Sequence, residues 1–260
     1  MPEPLLAAEG LVKSYGGGVR AVDDVSFVVN AGETVGIVGE SGCGKSTTAR
    51  MTLRLLDADS GNLRFGDTDL GKARGKSLRR LRKRLQFVPQ HPQTSFNPRL
   101  TIGASIAFNL TVHGMDGAKA KARAGDLLEQ VGLGASYASR RPSALSGGQL
   151  QRAAIARALA TDPELVICDE AVSALDKSVQ AQVLNLLARL QRDTGVAFLF
   201  ITHDLSVVEH ISDRVLVMNK GKIVEEGPAK QVWSEPKDEY TRTLLAASPE
   251  KIAGRIGGRR

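Results

Sequence analysis

The run "TVGIVGESGCGKSTTARMTLRLL", Thr34 to Leu56, limits the fold of this chain more than any other feature. Its apolar opening suits a strand buried on both faces, as in a parallel sheet covered by helices. The glycine turn then leads directly into a helix. Within it "GESGCGKS" matches G-x-x-x-x-G-K-[ST], with Gly39, Gly44, Lys45 and Ser46 at the fixed places. Strand before and helix after are the context that a phosphate-cradling loop requires. Glycines let the backbone wrap an anion, so the N–H groups of Gly42 to Ser46 can point inward. Ser41, Gly42, Cys43 and Thr47 complete the candidate binding loop. Lys45 suits the β- and γ-phosphate oxygens of ATP, and Ser46 suits Mg2+.

The rest of the chain alternates in the same way. "LLAAEGLVKSY" and "DVSFVVNAGE" read as strands, and "LQFVPQ" as another apolar strand ending near Pro89. From His91 to about Ala160 the patterns are mostly helical, which implies a helical insert. Alternation then resumes: "ELVICDE" as strand, "SVQAQVLNLLARLQRD" as amphipathic helix, "VAFLFITHD" as strand, "LSVVEHIS" as helix. "DRVLVMNKGKIVEEG" reads as a hairpin turning at Asn219–Gly221. Such alternation implies a parallel sheet with helices on its faces.

Several strand ends carry polar residues, where ligands of open α/β sheets collect. "LVIC" brings Asp169 to a strand end, where it suits Mg2+ or its water, and Glu170 follows at once. Glu170 can act on a water in line with a γ-phosphate, as general base or as its positioner. His203 ends "FITH", and Gln90 ends "LQFVPQ"; the amide of Gln90 can both donate and accept near Mg2+ and water. Tyr15 ends the first strand before three glycines, and reads equally as an ordinary strand-end aromatic or as a face for adenine. His91, His113 and His210 lack such placement and receive no role.

A second glycine turn raises a different question. "ALSGGQLQRAAIARAL", Ala144 to Leu159, opens another helix, and a helix start favours anions through its free N–H groups and dipole. The residues alone give an anion site without an owner.

Composition narrows the class. The chain has 260 residues and 42% apolar residues, enough for one large domain or a core with an inserted subdomain. Aromatics make up only 4%, which argues against a surface for stacking nucleic acid bases. Cys43 and Cys168 are the two cysteines, far apart, and give neither a disulfide framework nor a metal cluster. Cys43, at a helix start within the loop, is expected to be a reactive thiol, and Cys168, in a buried strand, an inert one. No secretory signal or membrane span is expected, so the chain is expected to be soluble by itself. The net charge of +7 points to an anionic partner. Much of it sits in "GKARGKSLRRLRKRL", where no acid occurs between Lys72 and Arg84. Leu78, Leu81 and Leu85 fall on one helical face there, which predicts a short amphipathic helix. Its basic side is simply solvated, or meets an anionic leaflet, or binds nucleic acid. The tail "GRIGGRR" reads as disordered.

Taken together, the motifs resemble the ATP-binding subunits of ABC transporters. The P-loop "GESGCGKST", Q-loop "VPQ", signature "LSGGQ", Walker B strand "LVICDE", D-loop "SALD" and switch "THD" occur in the family's order, from about Leu5 to Gly227. The resemblance implies an α/β fold: a P-loop NTPase (RecA-like) core with an N-terminal antiparallel β subdomain and an inserted α-helical subdomain. It places the first part of the core at 1–90, the helical subdomain at 91–160, the second part of the core at 161–227 and a C-terminal extension at 228–260. It implies a head-to-tail pair of ATPase subunits, with ATP held between the P-loop of one and the signature of the other. Ser146, Gly147, Gly148 and Gln149 then serve the partner's nucleotide, with donors from Ser146, Gly147 and Gly148. Tyr15 becomes the adenine platform, Glu170 the catalytic carboxylate, and His203 and Gln90 further catalytic residues. Ser46, Gln90 and Asp169 become the Mg2+ ligands, and Asp176 lies at the dimer interface.

A finer resemblance is to the oligopeptide, dipeptide and nickel importer ATPases. It rests on "QHPQTSFNPRLTIG", "VSALDKSVQAQVLNLL" and "GKIVEEGPAKQVWSEPKDEYTRTLLAASP". It implies a subunit that energises uptake of peptides or a related small solute, paired with a second, often different, ATPase chain. Two membrane permeases and, indirectly, a solute-binding protein complete the assembly, at the cytoplasmic face of the membrane. No nucleic acid partner is implied. The alternatives are an exporter subunit and a soluble ABC ATPase outside transport. His91 stands where an acid is common, Ala171 where proline is usual, and "DEYT" where "HPYT" is usual.

Overall fold

The computed structural model describes residues 3–247. The tail Gly254–Arg260, expected to be disordered, lies outside them. The chain divides into two compact units: residues 1–72 with 199–260, and residues 73–198.

The first unit begins with β1 (Leu6–Tyr15) and β2 (Val19–Val29), which pair antiparallel, Leu6 opposite Val29 and Ala8 opposite Phe27. β4 (Ser60–Phe65) and β5 (Thr68–Asp69) extend this into an antiparallel sheet of order β2-β1-β4-β5. Alternate residues Leu6, Ala8, Leu63 and Phe65 are buried, the period-2 pattern of a sheet with one covered face. β3 (Thr34–Val38) is buried at every residue, as an apolar run without alternation requires of a strand covered on both sides. It leads into α1 (Lys45–Thr52). β9 (Arg214–Asn219) lies parallel to β3, and β10 (Lys222–Pro228) closes the expected hairpin against β9. Its two loop residues, Lys220 and Gly221, both have positive φ (46° and 84°), as a type I′ turn needs. α8 (Leu205–Ile211), α9 (Ala229–Ser234) and α10 (Glu239–Ala246) complete this unit. Their residues Leu205, Val208, Val232, Trp233 and Leu245 are buried in one cluster with Val38, Val215 and Val217.

The second unit holds the helical stretch. α2 (Gly75–Arg84) precedes β6 (Leu85–Val88), which pairs parallel with β7 (Leu165–Asp169). The expected helical face of Leu78, Leu81 and Leu85 is therefore cut short. Leu81 is buried as expected, but Leu85 is the C-cap of α2: its N–H still donates to Leu81 C=O, while its extended backbone opens the strand and pairs with Leu165. Between these strands come α3 (Pro92–Ser95), α4 (Ile102–Val112), α5 (Gly117–Gln130) and α6 (Gly147–Leu159). α7 (Lys177–Thr194) follows β7 and buries Val183, Leu187 and Leu190, spaced as one helical face. The chain leaves this unit within β8 (Ala197–Thr202), buried at every residue. No helix of the described residues is long and apolar enough to cross a membrane.

Candidate functional site

In the first unit the glycine loop joins β3 to α1. Gly44 caps α1 at φ 110°, and a Cβ there would lie 2.2 Å from the Ala21 carbonyl oxygen, so the loop's approach to β2 admits only glycine. The first bond within α1 runs from Thr48 N–H to Gly44 C=O (2.9 Å). The N–H groups of Lys45, Ser46 and Thr47 thus precede the helical ladder, on a helix with no acid in its first turn and no side-chain cap. That donor set fits a phosphate.

Lys45 is buried, and its ammonium donates to Gly39 O (2.8 Å), Glu40 O (2.7 Å) and Cys43 Sγ (3.6 Å). A buried cation needs such partners, and these set its head inside the loop it was expected to serve. Cys43 is itself buried, which works against the ready reactivity expected of it. Tyr15 ends β1 with 45% of its surface exposed, enough ring to receive a flat ligand. His203, directly after β8, is exposed. Asp204 beside it caps α8, accepting from Ser206 N–H at 3.1 Å and Ser206 Oγ at 2.6 Å.

In the second unit β7 delivers Asp169, half-buried, and then Glu170 at φ 47°. A left-handed backbone at a non-glycine residue is held only where its surroundings determine it. Ser173 supplies part of that hold: its N–H (3.1 Å) and Oγ (2.9 Å) both donate to Glu170 C=O. Gln90 Nε2 donates to Glu170 Oε2 at 2.6 Å. The structure thereby joins two expected site residues 80 positions apart in sequence. Buried Cys168 stands one residue before Asp169; burial first, and the Asp169 charge second, push its thiol well above the usual range.

The second glycine turn forms a capping box. Ser146 Oγ accepts from Gln149 N–H (3.4 Å), and Gln149 Oε1 accepts from Ser146 N–H (3.0 Å). The Ser146 backbone N–H is therefore taken up within the cap. Gly148 has another reason to be glycine: a Cβ there would lie 2.4 Å from Val179 Cγ1 of α7. Asp176 caps α7, accepting from Val179 N–H (2.9 Å) and Ser178 Oγ (2.7 Å), and these bonds hold its carboxyl below the usual range.

Two residues here carried no signal in the sequence. Tyr137 Oη accepts from Gln149 Nε2 (3.1 Å), and with Ser146, Gly148 and Arg152 it lines a cavity of about 410 Å3 beside the capping box. Arg157 of α6 donates to Ser95 O (2.7 Å) and Ser95 Oγ (2.8 Å) and stacks 4.2 Å over the Phe96 ring. It ties the signature helix to the segment just after Gln90. A lone arginine in the apolar run "AAIARAL" was its only trace in the sequence.

Comparison with known proteins bears on this geometry. Residues 22–173 match the family model described as ABC transporter. The chain is 50% identical, over 96% of its length and 74% of the relative's, to the probable peptide ABC transporter ATP-binding protein y4tS of Sinorhizobium fredii. It is 47% identical to the oligopeptide transport ATP-binding protein OppF of Bacillus subtilis, over 96% of this chain and 84% of that one. Among solved structures it resembles cbiO1 of Clostridium perfringens, part of the ABC transporter complex cbiONQ. That match has TM-score 0.83 and 25% identity, and covers 98% of this chain and all of that one.

Proposed function

The chain belongs to the ABC transporter family, and on that premise we propose that it is the ATP-hydrolysing subunit of an importer for peptides or a related small solute. The observation that carries the hydrolytic part is the Glu170 carboxylate, held by Gln90 at 2.6 Å on a strained turn at the end of β7.

In this reading each residue has a task. The α1 N–H groups and Lys45 bind the phosphates, and Tyr15 offers its ring to adenine. Mg2+, when bound, would neutralise charge on the β- and γ-phosphate oxygens, with Ser46, Gln90 and Asp169 as its holders. Gln90 spends its Nε2 on Glu170, so Oε1 is the atom it would offer to the metal. Glu170 takes a proton from the attacking water, or orients that water, and Gln90 fixes the carboxylate for that step. His203 contacts the γ-phosphate. Ser146, Gly147, Gly148 and Gln149 serve the nucleotide of a second ATPase subunit, with Asp176 at the same interface. That subunit is a different chain, and the pair works on two membrane permeases fed by a solute-binding protein. The chain then sits peripherally at the cytoplasmic face of the membrane.

Co-expression with its cognate permeases tests this reading. The chain should sediment with membranes only when the permeases are present, and should hydrolyse ATP there. A chain that stays in the supernatant with its permeases present would contradict the transport assignment.

A further inference from the structure

The glycine loop is held from an unexpected quarter, the far end of the chain. Glu40, the second residue of the loop, donates its backbone N–H to Tyr240 Oη at 3.2 Å, across 200 residues. Its carbonyl accepts from Lys45 Nζ at 2.7 Å. One residue is therefore gripped on both sides, by Tyr240 at its N–H and by the loop lysine at its C=O.

The tyrosine is placed there by a built support. Trp233 and Leu245 are buried in one cluster with Val38, the residue before the loop, and Tyr240 packs against that cluster. The start of α10 is fixed by Glu225 of β10, whose carboxylate accepts from Lys237 N–H (2.9 Å) and Asp238 N–H (3.0 Å). Asp238 in turn caps α10, accepting from the Tyr240 N–H at 2.8 Å. A partly buried hydroxyl pointed at a loop amide by this much structure does more than decorate a surface.

We propose that Tyr240 is a positioning residue for nucleotide binding: through Glu40 it fixes the limb of the loop from which Lys45 is aimed. This rests on the reading of that loop as the ATP site. It makes the C-terminal extension a working part of the nucleotide site. Coupling of this kind is reciprocal, so nucleotide binding steadies α10 as much as α10 steadies the loop.

Tyr240→Phe keeps the ring and its packing and removes only the oxygen. In the full chain without nucleotide, Cys43 should then react with a maleimide faster, by about 2- to 10-fold, the span of one lost hydrogen bond. MgATP should bind about 2- to 10-fold more weakly for the same reason. In the permease complex KM for ATP should rise by a like factor while kcat stays put, because the contact acts before chemistry. The melting temperature should fall by only about 2–4 °C, the cost of one hydrogen bond in a chain of this length. Bound MgATP should slow hydrogen exchange of the α10 amides in the wild type and do so less in the variant. Glu225→Gln, which loosens the start of α10 and spares the tyrosine, should move labelling and affinity in the same direction. Equal Cys43 labelling in wild type and Tyr240→Phe would overturn the anchor, whatever binds in the loop. A wild type that binds no MgATP would instead overturn the ATPase reading.

Discussion

The Glu170 carboxylate is held by the amide of Gln90, on a backbone at φ 47°. Glu170→Gln keeps an acceptor for that amide and removes the base. ATP should still bind, and turnover should fall by about 100-fold or more, the usual reach of general base catalysis. Gln90→Ala should leave the base and unfix it, for a smaller loss. Phosphate release under saturating MgATP measures both, and equal rates in Glu170→Gln and wild type would remove Glu170 from the chemistry. At this scale the sequence was most legible where spacing is fixed by chemistry. The strand–turn–helix around Lys45 and Ser46 was readable from the fixed spacing of the motif, and the strand end at Asp169 from the apolar run before it. Tyr137, Arg157 and Tyr240 were not, because their contacts are to residues distant in sequence and leave no local pattern.

The helices α6 and α7 meet where Gly148 faces Val179. Gly148→Ala places a methyl 2.4 Å from Val179 Cγ1, and a β-branched side chain has little room to turn aside. The substitution should cost about 1–3 kcal/mol, the range for overpacking a tight contact. Val179→Ala should restore much of it, and denaturant midpoints of the two single variants and the double give the coupling. Independent, additive effects would show that the glycine is there for another reason. Most elements could be read in advance, since buried strands such as β3 and β8 are continuous apolar runs and α7 keeps a clear apolar face. The end of α2 could not. Its leucine spacing runs on through Leu85, and only pairing with β7, 80 residues later, turns that residue into strand. α9 and α10 also escaped, being short helices whose apolar residues face a cluster that only the folded unit assembles.

For the whole molecule, our account has the chain work in pairs, which gives each of the two glycine turns a task. The loop before α1 offers donors to a nucleotide of its own. The turn before α6 presents Ser146 and Gly147 exposed beside the capping box. Our account gives that second turn to the ATP of a partner subunit. Ser146→Arg tests it, since it puts bulk and a misplaced cation at the second turn and leaves the first loop intact. In a Glu170→Gln background, MgATP should hold two ATPase subunits together, visible by size-exclusion chromatography with the cognate partner chain supplied. Adding Ser146→Arg should leave ATP binding intact and weaken that closure by roughly 30- to 1000-fold, the effect of losing one well-placed anion contact of about 2–4 kcal/mol. A double variant as dimeric as Glu170→Gln alone would contradict the account, for it would show that the signature turn does not face a partner's nucleotide.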